Sequence, residues 1–275
     1  SFPNSTSPLE RIAGATTDLQ HIVHQGLEKH NAAFWVGANA VIRKSALMEL
    51  EEKDQVDGSL IRRFINDRTV IEDTESSINL RAMGWKIYNY PERLSYSATP
   101  PDFGSLAVQR QRWANGGLII FPLLMAQLRK SADASRKRIS LTEVALRATY
   151  LASIAWCSLC LCILFFYPFA NGMFSTLAVF TALPYFICMT LDLAWLGYRR
   201  SDIFKVYGLN LLLLPINIVG TIQSIGQIIG GHKISFARTP KVQNRSVAPL
   251  LYLVIPLILI VWSIWTLRTD FIELD

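Results

Sequence analysis

The chain has 275 residues and a formal net charge of +6, with 17% charged and 51% hydrophobic residues. Soluble domains usually carry about 25% charged residues, so this composition is not typical of a protein that is soluble along its whole length. The apolar residues concentrate in residues 118–267, whereas residues 1–115 have the composition of a soluble α/β protein. The sequence therefore predicts a soluble part followed by a membrane-embedded part. The chain starts at Ser1 without an apolar leader, and we expect it to be part of a longer protein.

Helix and strand signals alternate in the soluble part. The predicted helices are residues 19–30, 45–51, 74–83 and 105–115, and the predicted strands are residues 33–42, 68–71 and 85–90. Gly84 stands where a glycine ends a helix. This alternation predicts an α/β layer fold, although three strands are too few for a complete sheet.

An acidic pair, Glu72 and Asp73, lies between a predicted strand and a predicted helix. The simplest interpretation of Asp73 is a helix cap that accepts backbone N–H bonds. A carboxylate in this position can also act as a general base, because the loop ends of strands often carry catalytic groups. The acidic pair alone leaves both interpretations open.

A second group of residues lies on one predicted helix. Gln109, Arg112 and Trp113 have the spacing i, i+3 and i+4, which places them on one helix face. They could form a solvated basic face with a tryptophan at the level of the lipid headgroups. Alternatively, the planar Arg112 guanidinium could bind a diphosphate and Trp113 could stack on a sugar ring.

Four apolar segments follow in the membrane part. Residues 149–168, 174–196 and 248–267 are long enough to span a bilayer, and residues 207–229 are long enough but contain several polar residues. Lys and Arg cluster in residues 129–147, 199–205 and 230–247, and positive loops favour the cytoplasmic side. All three clusters share one side only if residues 207–229 stay in the cytoplasmic interface. Residues 117–128 predict a further interfacial helix.

The loop of residues 230–247 contains Phe236, Arg238, Thr239 and Lys241. These residues could be part of a charged connector. They could also form a mobile lid in which Thr239 and Lys241 reach a nucleotide phosphate.

Together these motifs resemble the family 2 glycosyltransferases of the cellulose synthase and hyaluronan synthase type. Residues 71–73 are similar to that family's Thr-Glu-Asp motif, with Ile71 in the first place. Gln109, Arg112 and Trp113 match its Q-x-x-R-W motif residue for residue.

The resemblance extends to two further segments. Phe236, Thr239 and Lys241 match the F-x-V-T-x-K gating loop of bacterial cellulose synthase, with Arg238 in the place of Val. Residues 34–39 lie where that enzyme has Phe-Phe-Cys-Gly-Ser, and here Val and Ala replace Cys and Ser. The resemblance covers nearly the whole chain from about residue 19 onward.

The resemblance implies an inverting transfer from a nucleotide-sugar, expected to be a UDP-sugar, to a growing β-linked polysaccharide. It assigns Asp73, with Glu72, to catalysis and Arg112, with Gln109, to the donor diphosphate. It assigns three further residues to the acceptor, namely Trp113, Trp35 and Gly37. Family members also bind Mg²⁺ or Mn²⁺ through a D-x-D motif, which this chain lacks. We therefore expect no metal ligands in this chain, and no synthesis by the chain alone.

The resulting fold class is the C-terminal part of an α/β GT-A domain plus an α-helical membrane domain. The expected division is a catalytic part at residues 1–116, an interfacial helix and basic linker at 117–147, and a membrane domain at 148–275. This enzyme would lie in the plasma membrane as a multi-pass protein, with its catalytic part cytoplasmic. The expected partners are the donor, the polysaccharide, the lipid bilayer and an export subunit, but no nucleic acid.

The sequence leaves two other functions open. A non-processive membrane glycosyltransferase would add one sugar to a lipid or a short glycan. A transporter or membrane scaffold would explain the apolar segments but not the pairing of Arg112 with Trp113.

Overall fold

The computed structural model describes residues 7–35, 37–65, 69–92, 94–130, 139–166, 176–231, 239 and 246–273. The first part of these residues forms five helices and one hairpin: α1 (Pro8–Glu28), α2 (Lys44–Glu49), β1 (Glu52–Val56), β2 (Ser59–Arg63), α3 (Glu72–Ala82), α4 (Phe103–Ile119) and α5 (Phe121–Lys130). The second part is helical: α6 (Leu141–Phe166), α7 (Thr176–Trp195), α8 (Asp202–Leu212), α9 (Leu214–Gly230) and α10 (Leu251–Glu273).

Helix α3 ends as its sequence predicts. Gly84 adopts a left-handed conformation with φ of +97°, which costs glycine little because it has no Cβ. The amide of Gly84 donates to the carbonyl of Arg81 at 3.0 Å, and the amide of Trp85 donates to the carbonyl of Leu80 at 3.0 Å. This pair of bonds satisfies the last carbonyls of the helix and stops it after Ala82.

The prediction of three strands in the soluble part is wrong. Residues 33–35, 69–71 and 85–90 have no regular strand structure, and the only sheet in the described part of the chain is the antiparallel pair β1 and β2. A strand needs a neighbouring strand to pair its backbone groups. No such neighbour lies beside these segments in the described residues, so the α/β pattern is replaced here by helices and one hairpin.

The hairpin itself was not predicted. Asp57 and Gly58 both have positive φ, at +50° and +78°. This is the backbone of a two-residue type I′ turn, whose twist suits antiparallel strands. Val56 faces Ser59 at the turn, and Glu52 faces Arg63 at the open end.

The apolar helices follow the predicted segments with shifted ends. Among the described residues, α6 contains one stretch, Leu141–Phe165, that is long and apolar enough to cross a membrane. Helices α8 and α9 pass the same test only as a pair, and they are bent by 49° at their junction. The apolar parts of α7 and α10 are shorter, Phe180–Trp195 and Leu251–Thr266. The three predicted spans and the interfacial position of residues 207–229 stay predictions.

Helix α9 packs closely against α4. Gly220 permits this approach, because a Cβ added there would lie 2.6 Å from the carbonyl oxygen of Gln111 and 2.6 Å from the Cβ of Ala114. Two glutamines of α9 are hydrogen-bonded to α4: Gln111 Nε2 donates to Gln223 Oε1 at 3.1 Å, and Gln227 Nε2 donates to Asn115 Oδ1. Gln223 and Gln227, two polar residues of this apolar segment, therefore have partners on α4.

The helix predicted at residues 117–128 corresponds to α5, which begins four residues later because α4 continues to Ile119. Its interfacial position stays a prediction. Leu124 of α5 is fully buried in a cluster that also contains Phe34, Ile78 and Leu151. This cluster joins α3, α5 and α6. The expected domain limits at residues 116 and 147 therefore fall inside helices α4 and α6, and the division into domains stays a prediction.

Candidate active site

Asp73 lies in the first turn of α3 and faces the loop between α1 and α2. Gly37 N donates to Asp73 Oδ2 at 3.3 Å, and Thr74 N donates to Asp73 Oδ1 at 2.7 Å. The N-cap residue is Ile71, which makes no side-chain capping bond. Asp73 is therefore the second residue of the helix rather than its N-cap, and its carboxylate joins the helix to the loop.

The environment of Asp73 raises the pKa of its carboxyl group. The main cause is burial, which disfavours the charged form, and the negative charge of Glu72 adds to it. The hydrogen bonds from Thr74 and Gly37 act in the opposite direction without cancelling the shift. A carboxylate with a raised pKa is a better proton acceptor near neutral pH than an ordinary aspartate.

Replacing Glu72 with Gln is expected to move the acid limb of the pH–rate profile to lower pH. The substitution removes a negative charge that raises the pKa of Asp73, so the carboxylate ionises more easily. Activity that needs ionised Asp73 is lost when pH falls through this pKa, and a lower pKa preserves it further into acid. The measurement is kcat/KM against pH. The control is Glu92→Gln, which makes the same change in net charge at an exposed site and should leave the acid limb of the profile in place. If both variants shifted the acid limb equally, Glu72 would have no specific effect on the pKa of Asp73.

The loop that faces Asp73 is held by a second contact to α3. Trp35 N donates to Ser77 Oγ at 3.0 Å, and the Ser77 hydroxyl donates to the carbonyl of Asp73 at 2.7 Å. Gly37 begins a short 3₁₀ turn with φ of +38°, a conformation that favours glycine. The structure therefore brings the loop of Trp35 and Gly37 together with Asp73.

An aromatic cluster lies beneath this loop. Phe34 is 1% exposed, and its ring centroid lies 5.9 Å from His24 and 5.4 Å from Tyr150. His24 Nε2 lies 3.0 Å from the Tyr150 hydroxyl. Burial lowers the pKa of His24 to about 4, with the charges of His21 and Arg147 adding to the effect. His24 is therefore neutral at physiological pH and acts as a packing residue under the loop.

Helix α4 brings the second motif beside the first. Gly116, one turn after Trp113, lies against Ile71: a Cβ added at Gly116 would be 2.4 Å from Ile71 Cγ2. Gln109, Arg112 and Trp113 are all partly buried on α4. The close contact at Gly116 places the C-terminal end of the Gln109–Trp113 motif next to Ile71, the residue that directly precedes Glu72.

The Trp113 ring is covered by a neighbour that the motif match did not select. The Arg110 guanidinium lies 4.5 Å from the ring centroid. Arg110 Nη2 also donates to the Thr16 hydroxyl and to the carbonyl of Ala13 in α1. Burial lowers the pKa of Arg110 to about 10, so the side chain stays charged at neutral pH. One face of Trp113 is thus held by a cation that is anchored on α1.

Two missed residues had a signal in the sequence. Arg110 precedes Trp113 by three positions and Ser77 follows Asp73 by four, so helical periodicity places each pair on one face. The contact between Gly37 and Asp73 had no such local signal, because 36 residues separate them.

Of the proposed gating-loop residues, Phe236, Arg238 and Lys241 lie outside the described residues. Thr239 is described and partly buried. The structure therefore does not test this loop, and its role stays a prediction.

The described residues do not fit a divalent-cation site. No group of three His, Cys, Asp or Glu side chains converges among them, and both carboxylate oxygens of Asp73 already accept hydrogen bonds from neighbouring amides. Magnesium usually keeps carboxylate, water and phosphate oxygens in its coordination shell. The expected Mg²⁺ or Mn²⁺ stays a prediction.

Comparison with known families agrees with the motifs in this site. The sequence profile described as glycosyl transferase family group 2 matches residues 1–195. The chain therefore belongs to glycosyl transferase family group 2. This membership implies a GT-A catalytic fold.

One relative supports this assignment more narrowly. The chain is 30% identical over 101 residues to a UDP-forming cellulose synthase catalytic subunit of Dictyostelium discoideum. The aligned stretch covers 37% of this chain and 8% of the relative's length. No solved structure matches the chain.

Proposed function

We propose that this chain forms the acceptor side of an inverting, processive glycosyltransferase that extends a β-linked polysaccharide with sugar from a UDP-sugar. The observation that carries the proposal is the contact between the carboxylate of Asp73 and the amide of Gly37. It joins a carboxylate of raised pKa to the loop that the resemblance assigns to the acceptor.

The proposed chemistry is a single displacement. Asp73 accepts the proton of an acceptor hydroxyl while the hydroxyl oxygen bonds to the anomeric carbon of the donor. The bond between that carbon and the diphosphate oxygen breaks, and the nucleoside diphosphate leaves. Arg112, with Gln109 nearby on α4, stabilises the charge on the leaving diphosphate because a guanidinium binds phosphate oxygens in a bidentate manner. Glu72 tunes the pKa of Asp73 rather than taking the proton.

The acceptor residues in this proposal are Trp35, Gly37 and Trp113. Trp113 offers a flat ring whose other face is held by Arg110. A rigid aromatic ring binds a sugar at low entropic cost, since few side-chain rotations must be frozen on binding. Trp35 and Gly37 would hold the acceptor terminus above Asp73.

The proposed location is the plasma membrane, with the site on the cytoplasmic side. Large apolar side chains are exposed on α6, α7 and α10, among them Trp156, Phe180 and Trp265 at 65%, 66% and 52%. Exposed apolar surface of this extent is typical of protein that contacts lipid or another protein. We propose that these helices contact lipid, form the export path for the polymer and receive a lid from the gating loop.

The test is donor turnover by the enzyme in its own membranes. UDP-glucose and UDP-N-acetylglucosamine, each labelled in the sugar, are supplied separately, and released UDP and product length are measured. Long products from one donor are expected. Products extended by a single sugar would favour the non-processive alternative, and absence of turnover with every UDP-sugar tried would favour a transporter or scaffold.

A further inference from the structure

A buried ion cluster lies where α6 meets the site. Arg81 of α3 and Arg147 of α6 both donate to Glu143: Arg81 Nη2 to Oε2 at 3.1 Å, and Arg147 Nε to Oε1 at 3.3 Å. The exposed fractions of the three residues are 6%, 1% and 1%. Burying three charges carries a desolvation cost that their attraction often fails to offset, so such a cluster is weak as a source of stability. A role in positioning would explain it better.

Arg147 reaches the loop that carries the proposed acceptor residues. Its Nη2 donates to the carbonyl of Asn31 at 2.8 Å. Its guanidinium also lies 4.7 Å from the centroid of the Phe34 ring. Phe34 directly precedes Trp35. The carbonyl of Phe34 accepts a hydrogen bond from Asn89 Nδ2 at 3.4 Å. Arg147 therefore holds both the start of the loop and the residue next to Trp35.

The other arm of the cluster reaches the helix of the proposed base. Arg81 lies eight residues after Asp73 on α3, about two helical turns away. Glu143 binds Arg81 with one oxygen and Arg147 with the other. This single carboxylate therefore joins the base helix to the cation that holds the acceptor loop, and the junction lies on α6.

We propose that Glu143 and Arg147 are positioning residues that keep the acceptor loop, residues 31–35 and 37, aligned with Asp73. The proposal rests on the proposed function, because it needs an acceptor at that loop. It makes α6 a support for the site as well as an apolar helix. When the loop is displaced, water replaces the acceptor hydroxyl: its oxygen bonds to the anomeric carbon, Asp73 accepts its proton, and the bond from that carbon to the diphosphate oxygen breaks. UDP and free sugar are then released without transfer.

The experiment measures UDP released per sugar incorporated, with UDP-glucose as the donor and the enzyme in its membranes. This ratio does not depend on how much of the enzyme is folded, so loss of stability alone does not change it. Two variants are compared with wild type. Arg147→Lys keeps the charge but loses the planar fork. A triple variant, Arg81→Met with Glu143→Leu and Arg147→Met, replaces the cluster with apolar residues, which often maintains stability.

The expected result is a ratio raised about tenfold in the triple variant and less in Arg147→Lys, because misplacing a group by about 1 Å can cost about 100-fold in rate. The matched control is the exposed ion pair of Arg62 with Glu51, whose atoms lie 2.6 Å apart. Arg62→Met and Glu51→Gln should keep the wild-type ratio.

A wild-type ratio in both cluster variants would overturn the inference and leave the cluster a structural feature. If the triple variant does not fold, Arg147→Lys is sufficient: a wild-type ratio in this folded variant would overturn the inference. Absence of UDP-glucose and UDP-N-acetylglucosamine turnover in the wild type would overturn the proposed function and this inference together. Turnover in the wild type with unchanged ratios would overturn the inference alone.

Discussion

Replacing Asp73 with Asn is expected to lower sugar transfer by about 10²- to 10⁴-fold, the range that general acid–base catalysis contributes. The amide has nearly the shape of the carboxylate but cannot accept the acceptor proton. Donor binding should persist, because the donor diphosphate is assigned to Arg112 and Gln109 rather than to Asp73. The measurements are initial rates of UDP release and equilibrium binding of UDP.

The same substitution also disturbs the contacts of Asp73, and this effect must be separated from catalysis. The amides of Gly37 and Thr74 donate to different oxygens of Asp73. In asparagine one of these oxygens becomes an NH₂ donor, so one contact is lost at a cost of about 1–3 kcal/mol. Thermal unfolding therefore accompanies the rate measurement.

Asp102→Asn is the matched control for this prediction. Asp102 is the N-cap of α4 and accepts a hydrogen bond from Ser105 N at 2.7 Å. Asparagine caps helices about as well as aspartate. Asp102→Asn should therefore keep its rate of sugar transfer within about twofold of the wild-type rate, since it removes no special contact. If Asp73→Asn retained as much activity as Asp102→Asn, Asp73 would have only a structural role.

Replacing Gly220 with Ala is expected to lower the free energy of unfolding by about 1–3 kcal/mol, the usual cost of overpacking. The new Cβ would meet the backbone carbonyl of Gln111 and the Cβ of Ala114, each at 2.6 Å. Neither can rotate away, so α9 must move off α4. Displacement would also stretch the hydrogen bonds of Gln223 and Gln227 to α4. The measurement is the midpoint of thermal unfolding in detergent.

Gly226→Ala serves as the control on the same helix. No atom lies within 4 Å of a Cβ added at Gly226. Because alanine is favoured over glycine inside helices by about 1 kcal/mol, this variant should be as stable as the wild type or more so. Equal midpoints for Gly220→Ala and Gly226→Ala would show that α9 does not depend on close packing against α4.

Local sequence was sufficient to predict the elements whose residues interact with near neighbours. Helix α3 ends at Ala82, within one residue of its predicted end, because its stop signal, Gly84, lies only two residues further along the chain. The apolar helices were found because about 20 apolar residues in a row are visible without any tertiary contact. Two local signals were nevertheless overlooked. The Asp57-Gly58 turn is typical of a hairpin, and Ser7 with Glu10 is typical of the N-terminus of a helix, which is where α1 begins.

The strands were predicted wrongly for a different reason. Residues 85–90 alternate between apolar and polar side chains, and alternation is a property of the segment alone. Strand formation is a property of a pair, because the backbone groups of one strand bond to those of another. In the described residues only β1 and β2 supply such a pair.

In the candidate site, the residues of local motifs could also be predicted from sequence, whereas contacts between distant residues could not. Motif spacing and family resemblance selected Asp73, Gln109, Arg112, Trp113 and the loop of Trp35 and Gly37, because each motif lies within a few residues of chain. Sequence could not indicate that the Gly37 amide meets the Asp73 carboxylate, or that Glu143 joins Arg81 to Arg147. Partners 36 and 62 residues apart meet only when the helices pack, and the packing depends on side chains from every element involved. The tertiary structure alone decided that α6 supports the loop opposite Asp73.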